Sequence, residues 1–566
     1  MIFSDIDGTF SSKIRCKNIL LKIKKLSVMR KLAIIIVSFS LFTVELSSQS
    51  RGVRTITEEE LKYHLDFLGA KEFRGRETPS AELDIASLYV ANWAKHNGLK
   101  PIMKDGSYYQ NVPLNVISVS KPGTKLTVVK DGIETVWYFG KSFGAHFTAN
   151  GSYSGSVIFA GSDIDELENI DLRGKMIIII DDQFPVGGKE PSPWLNTRLE
   201  PKLTFFRERG ASAVLIVASP EKQERIAIPS GFYDYIPVGR LDTIYESQIT
   251  SSATVALPTS NQRQLLPFTM AEINHKLAAL LMDISETEVK SLFTDQRTGK
   301  ILQPTEYKNV FARLDVVVDS YKATARNVIA IIEGSDPVLK NEYVVVSSHL
   351  DGRGIDDGEI IPGADDNLTG VVAMLEISKA LLAERPKRSV VLVWLCGEEQ
   401  LMHGSHYFVN NCPVPVEKIT ACINLDMMGR NNADSLFLIG SDLLSSELDK
   451  AIIKVNNTQG IRFGFDYRYS DIKHPVRMYF RSDHYPFVRF GIPAVCFFCG
   501  FTDDYHSYRD VVESVDFKKV LKATKLGYLT IMEVGNTKEL LKLDVNPAVT
   551  SRGAHNLKEG SLFQQR

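Results

Sequence analysis

The chain has 566 residues, 44% of them hydrophobic and 24% charged. That is too long for one compact core and ordinary for a globular protein of two or three domains. Lys and Arg total 66 against 68 Asp and Glu, a formal net charge of -2, which leaves no electrostatic case for a nucleic-acid partner.

The N-terminus reads as a targeting segment. Met29-Arg30-Lys31 precedes an apolar run from Leu32 to Val44, broken only by Ser38, Ser40 and Thr43, and then the small polar stretch Ser47-Ser48-Gln49-Ser50. A basic start, an apolar stretch and a cleavage zone in that order make a signal peptide, and the run is short for a transmembrane helix. Export to the periplasm or the extracellular space is expected, with membrane attachment only if the segment stays uncleaved. Translation is expected to begin at Met29. Asp5-Ile6-Asp7-Gly8-Thr9 has the look of a phosphatase loop but lies upstream of that start and lacks a strand and helix around it. The six cysteines (Cys16, Cys396, Cys412, Cys422, Cys496 and Cys499) are no disulfide framework. Cys496 and Cys499 have metal-knuckle spacing without a second pair. Three apart on a strand they face opposite ways, so core packing is expected, with a local disulfide as the alternative.

Residues 57–100 read as two helices: Leu61, Leu65 and Leu68 recur at helical spacing, and a second helix starts near Ser80 and ends at Gly98. From about 115 to 300 short β-rich runs alternate with turns and a helix, at 126–129, 155–160, 175–180 and 213–218, with Pro191, Pro193 and Pro201 in a loop; this suggests a separate small domain. From about 301 to 540 the pattern is α/β. Near-continuous apolar runs at 327–332, 343–348, 389–395, 420–425 and 494–498 read as buried strands alternating with helices, such as Gly370 to Leu382. A mostly parallel central sheet flanked by helices follows. Residues 541–566 read as a polar tail.

Five segments follow or flank those strands, where ligands of an open α/β sheet collect. Ser348-His349-Leu350-Asp351 offers an imidazole and a carboxylate that could orient it. In Gly363-Ala364-Asp365-Asp366-Asn367 a carboxylate could bridge two cations or cap the next helix. Gly397-Glu398-Glu399 allows one carboxylate to act as base and one as ligand. Asp426 directly follows a buried run, where a carboxylate needs a partner or a metal. Asp504-Tyr505-His506-Ser507-Tyr508-Arg509-Asp510 supplies a last imidazole. Each alone is weak; the ordered set is specific.

That set resembles the co-catalytic di-zinc aminopeptidases, the bacterial leucyl aminopeptidase and glutamate carboxypeptidase-like family, over about residues 57–112 and 305–535. The resemblance implies two zinc ions per chain. His349 and Asp426 would bind one, Glu399 and His506 the other; Asp366 would bridge them, Glu398 would be the general base and Asp351 would stand behind His349. It implies a zinc-exopeptidase fold acting on peptides as an aminopeptidase. Within the family the alternatives are a carboxypeptidase or dipeptidase, for which Arg430, Arg468 and Arg481 are candidate carboxylate binders, and a glutaminyl-cyclase-like enzyme with one zinc. A binding protein that has lost catalysis is the non-enzymatic alternative. Ser482-Asp483-His484-Tyr485-Pro486-Phe487 looks like a family segment near the substrate pocket. The 115–300 insert, with Asp171-Leu172-Arg173-Gly174-Lys175 and Arg209-Gly210-Ala211, looks like a protease-associated domain. Departures are Leu401 where the family usually has glycine, His403 where it has an aliphatic residue, and Tyr508 where proline is common; His403 is expected on a helix surface.

Overall fold

The computed structural model describes residues 50–553 except 121, 140–141, 145–149, 181–204, 221–253, 257–268, 357–358, 473, 475 and 477. The expected targeting segment before Ser50, Cys16, the loop with Pro191, Pro193 and Pro201, and the last residues of the expected polar tail lie outside the described residues. Among the described residues no helix is long and apolar enough to cross a membrane.

Two sheets organise the chain. Helices α1 (Glu58–Leu68) and α2 (Ala81–His96) come first, each opened by a hydroxyl cap: Thr57 accepts from the Glu60 amide and Ser80 from the Leu83 amide. Strand β1 (Tyr109–Val119) enters the large sheet. The chain then builds a second sheet from β2 (Lys125–Lys130), β3 (Ile133–Tyr138), β4 (Gly151–Phe159), β5 (Met176–Ile180), β6 (Ala213–Val217), β7 (Met270–Ile273) and, after helices α3 (His275–Met282) and α4 (Glu286–Arg297), β8 (Thr305–Val316). Its order is β3-β2-β8-β4-β5-β6-β7, with the short strand Phe143–Gly144 at the far edge. The sheet thus begins after β1, which crosses residue 115, and closes with β8, beyond residue 300. The buried face of this sheet packs against α3 and α4 through Leu277, Leu281, Val289 and Phe293, a core of its own.

Strand β9 (Val318–Ile332) returns to the large sheet and pairs with β1 along its length. There follow β10 (Tyr343–His349), α5 (Thr369–Ala383), β11 (Ser389–Leu395), α6 (His403–Asn410), β12 (Ile419–Leu425), β13 (Ser435–Ile439), α7 (Ser446–Thr458), β14 (Gly464–Asp466), α8 (His484–Val488), β15 (Ala494–Phe498) and α9 (Phe517–Gly535). The order is β14-β13-β15-β12-β10-β11-β9-β1, with the short strand Thr254–Ala256 at the end. The four central strands β11, β10, β12 and β15 are parallel; β9, β1 and the β13–β15 pair are antiparallel. The sheet is mixed, parallel at its centre and again where β13 meets the edge strand β14. The apolar run at 327–332, expected among the parallel strands, runs antiparallel to β11. A strand buried on both faces gives the same continuous apolar run in either direction, so direction is not written in its composition.

Alternation along β10 sorts the two layers. Val344 and Val346 join the core formed with α1, α2, α5, α7 and α9, whereas Val345 joins the core with α6 and α8. Helices cover both faces, and the C-terminal ends of the parallel strands open at one edge. That edge carries the site.

Candidate metal centre

Each of the five segments leaves a central element at this edge. His349 is the last residue of β10, Glu398 and Glu399 follow β11, Asp426 follows β12, and His506 lies in the loop after β15. Asp366 stands in the turn before α5. That turn is drawn tight against the strand ends: a Cβ on Gly370 would stand 2.3 Å from the Leu425 carbonyl oxygen and 2.5 Å from Ser348 Oγ. Asn367 ties it further, donating to the Leu425 carbonyl at 2.9 Å and accepting from the Gly370 and Met427 amides.

The result is two groups sharing one carboxylate. His349 Nε2 lies 3.3 Å from Asp366 Oδ1 and 3.4 Å from Asp426 Oδ1. His506 Nε2 lies 3.0 Å from Asp366 Oδ2 and 3.3 Å from Glu399 Oε2. All five side chains are buried, and their donor atoms form two triads, His349–Asp366–Asp426 and Asp366–Glu399–His506. Two donors each about 2.0–2.1 Å from a tetrahedral zinc stand about 3.3 Å apart, the separation found here. His349 Nε2, Asp426 Oδ1 and Glu399 Oε1 are buried and make no hydrogen bond, a costly state for polar atoms unless a cation takes them. Donor type, spacing and orphaned lone pairs all fit two zinc ions.

The electrostatics carry the same signature. Burial alone would lower the His349 pKa, but the Glu398 and Asp426 carboxylates outweigh it and hold it well above the usual value. Burial would raise Asp366, yet the His349 and His506 imidazoles facing its two oxygens hold it below the usual carboxylate range. Glu398 is pushed well up by burial, with Asp426 adding to it and His349 opposing. Its Oε2 stands 3.9 Å from His349 Nε2, beside the donors without belonging to either triad.

Asp351 serves the site differently from the expected carboxylate–imidazole contact. His349 Nδ1 lies 3.1 Å from the Asp351 main-chain carbonyl, while the carboxylate is 3.8 Å away. That carboxylate instead accepts from the Glu398 amide at 3.2 Å and the Glu399 amide at 3.4 Å. It holds the turn that aims both glutamates, and burial raises its pKa to about 6.

Other positioning groups were not assigned from the sequence. Ser482 donates to Asp426 Oδ2 at 2.5 Å, receives Asn424 Nδ2 at 2.8 Å, and Ser347 in turn donates to Asn424 Oδ1. Ser482 was visible in its segment but carried no distinguishing mark. Tyr505 stacks on His506 with ring centroids 3.8 Å apart and accepts from Arg481 at 3.3 Å. Arg353 reaches 3.9 Å from Glu399 Oε2. Of the arginines weighed for a terminal carboxylate, Arg430 pairs with Asp504 and donates to Ser514, and Arg468 pairs with Asp466 at the surface. His403 is buried rather than on a helix surface, its Cβ facing Gly397. Leu401, where glycine was expected, holds φ of 76°, the left-handed conformation glycine favours. Cys496 and Cys499 are buried free thiols, and Cys499 donates to Asp365 Oδ2 at 3.3 Å.

Residues 327–529 match peptidase family M28. A probable zinc metalloprotease of Leptosphaeria maculans is 24% identical over 273 residues, 39% of this chain and 62% of that protein. A probable leucine aminopeptidase 2 of Aspergillus oryzae is 30% identical over 192 residues, 33% of this chain and 36% of that protein. The chain therefore spans less than two thirds of the length of these relatives. In fold, an aminopeptidase from Aneurinibacillus sp. strain AM-1 superposes with a TM-score of 0.54 at 17% identity, covering 89% of this chain and 99% of that one. A zinc aminopeptidase from Bacillus subtilis gives 0.50 at 16% identity, covering 87% and 99%.

Proposed function

We propose, from the match of residues 327–529 to peptidase family M28, that the chain is an exported two-zinc exopeptidase that removes residues from the N-termini of peptides. The observation that carries the reading is the shared carboxylate: one oxygen of Asp366 faces His349 and the other faces His506. His349, Asp366 and Asp426 would hold one ion; Asp366, Glu399 and His506 would hold the other. When bound, the two ions would lower the pKa of a water and polarise the scissile carbonyl.

The chain's own residues do the rest. Glu398, beside the donors but in neither triad, takes the proton of the attacking water and returns it to the leaving amine. Asp351 keeps Glu398 aimed through its amide, and Ser482 fixes the rotamer of Asp426. The low-dielectric surround strengthens each of these contacts. Because Arg430 and Arg468 are engaged by Asp504 and Asp466, no basic cluster built from them awaits a substrate carboxylate. Arg481, the third candidate, is buried against Tyr505; the buried carboxylates Asp366, Glu398, Glu399 and Asp426 suit a free α-amino group, and this favours the aminopeptidase reading over the carboxypeptidase one. All five donor positions converge, which favours two metals over the one of a cyclase-like enzyme. Export rests on the Arg30-Lys31 start and the Leu32–Val44 run. The second sheet, in the place of a protease-associated domain, would wall the cleft.

The test is a peptide-library digest on zinc-loaded protein, read by mass spectrometry. Stepwise loss of N-terminal residues is expected; shortening from the C-terminus would overturn the assignment of the terminus, and no cleavage at all would overturn the enzyme reading.

A further inference from the structure

Arg76 is a fully buried arginine, in the loop between α1 and α2, that makes all its hydrogen bonds described here to main-chain carbonyls. Its Nε donates to Leu350 at 3.0 Å, Nη1 to Pro362 at 2.9 Å and to Leu68 at 3.4 Å, and Nη2 to Gly363 at 3.2 Å. Leu350 follows the ligand His349, and Pro362 and Gly363 lead into the turn of Asp366. One guanidinium thus bolts together the two loops that meet at the first triad. Its planar fork suits the task, since it presents several fixed donors at once.

Asp510 grips the same turn from the other side. Its two carboxylate oxygens accept from the Asp365 amide at 2.9 Å and the Asp366 amide at 3.0 Å, and its main-chain carbonyl accepts from Ala364 at 3.1 Å. Asp510 lies four residues after His506 and is buried. It therefore links the Asp366 turn to the loop that supplies the second triad. The turn of the shared carboxylate is held through its carbonyls by Arg76 and through its amides by Asp510.

We propose that Arg76 and Asp510 are positioning residues that act as two jaws of one clamp, fixing Asp366 at once relative to His349 and to His506 and so setting the affinity for both ions. The inference rests on the two-zinc reading. Geometry and charge make opposite demands on Arg76, which separates them. Its guanidinium faces Asp351, Asp510, Asp366 and Glu399, so as a charge it competes with an incoming cation, and its removal would tighten zinc binding. As a clamp, its removal loosens it.

The experiment compares Arg76→Met, Arg76→Lys and Asp510→Asn in the full chain with the unmodified protein. Zinc affinity is read by chelator competition, and melting temperature with and without zinc. Supporting residues of metal ligands are typically worth 10–100-fold in affinity. Arg76→Met and Asp510→Asn are expected to weaken zinc at least about 10-fold. Arg76→Lys is expected to fall between Arg76→Met and the parent, because one ammonium cannot span Leu350 and Gly363. The rise in melting temperature on adding zinc should shrink in all three. A purely structural role would lower both melting temperatures equally and leave that rise intact, and that result overturns the proposal. Tighter zinc binding by Arg76→Met overturns it too, as does failure of all three variants to fold. If the unmodified protein takes up no zinc, the two-zinc reading falls and the clamp with it. If it loads normally and the variants match it, the clamp alone falls.

Discussion

Among the described residues, clusters of histidine and carboxylate stand at the strand ends and between α1 and α5, and they differ in whether the chain supplies a cation of its own. At the strand ends, His349, Asp366, Asp426, Glu399 and His506 face each other at 3.0–3.4 Å. Between α1 and α5, Glu60, His64 and Glu376 also gather potential ligand atoms, but there the chain supplies its own cation. Lys379 Nζ lies 2.7 Å from Glu376 Oε1 and 3.9 Å from Glu60 Oε2, and His64 Nδ1 is 2.7 Å from the Tyr89 hydroxyl. Proximity of acidic groups and a histidine is therefore not enough to mark a metal site. What separates the clusters is whether the negative charge is answered within the fold.

The largest expected effect is at the shared ligand. Asp366→Asn should lose zinc from both triads and all measurable peptidase activity, as metal analysis and an aminoacyl reporter assay would show; a variant that keeps half its zinc would mean the two triads are independent. Next, Glu398→Ala should lower turnover by roughly 10²–10⁴-fold, the usual worth of a general base, while zinc content stays at the parent level. Near-normal turnover would remove Glu398 from its role. Ser482→Ala should weaken zinc about 10-fold by freeing Asp426, measured by chelator competition.

The smallest effect sharpens the other side of the comparison. Burial, helped by Lys379, lowers the His64 pKa from 6.5 to about 4. The unfolded chain is then protonated first as pH falls, so His64 withdraws stability between pH 6.5 and about 4 and has no such effect above 6.5. His64→Gln should remove that slope. Relative to the parent, the variant should gain on the order of 2 kcal/mol between pH 7 and pH 4, read from denaturant melts at each pH, with zinc content unchanged. A loss of zinc in this variant would erase the distinction between the two clusters.

The convergence of His349, Asp366, Glu399, Asp426 and His506 was legible in the sequence because each is a chemically distinctive side chain near the end of an apolar run or a helix start. The strands were legible as positions for the same reason. Their directions were not, since the apolar run 327–332 of β9 and that of β10 read alike and run oppositely. The positioning groups were hidden for a different cause. Arg76 acts on main-chain carbonyls, which every residue possesses, so its partners leave no trace in residue identity. Asp510 stood within a segment already singled out, but its grip on two amides depends on a turn 144 residues away. Asp351 was expected behind His349, yet its carboxylate turns to the Glu398 and Glu399 amides, a choice between two nearby partners that only geometry decides. The second sheet was seen as a separate β-rich unit, but β8 lies past the composition change that marked its end.

The account stands on two cations flanking one carboxylate, and anomalous X-ray scattering at the zinc edge from crystals of the zinc-loaded chain tests that most directly. Two peaks are expected, one among His349, Asp366 and Asp426 and one among Asp366, Glu399 and His506, with none at Glu60, His64 and Glu376. A single peak, or none beside Asp366, would contradict it.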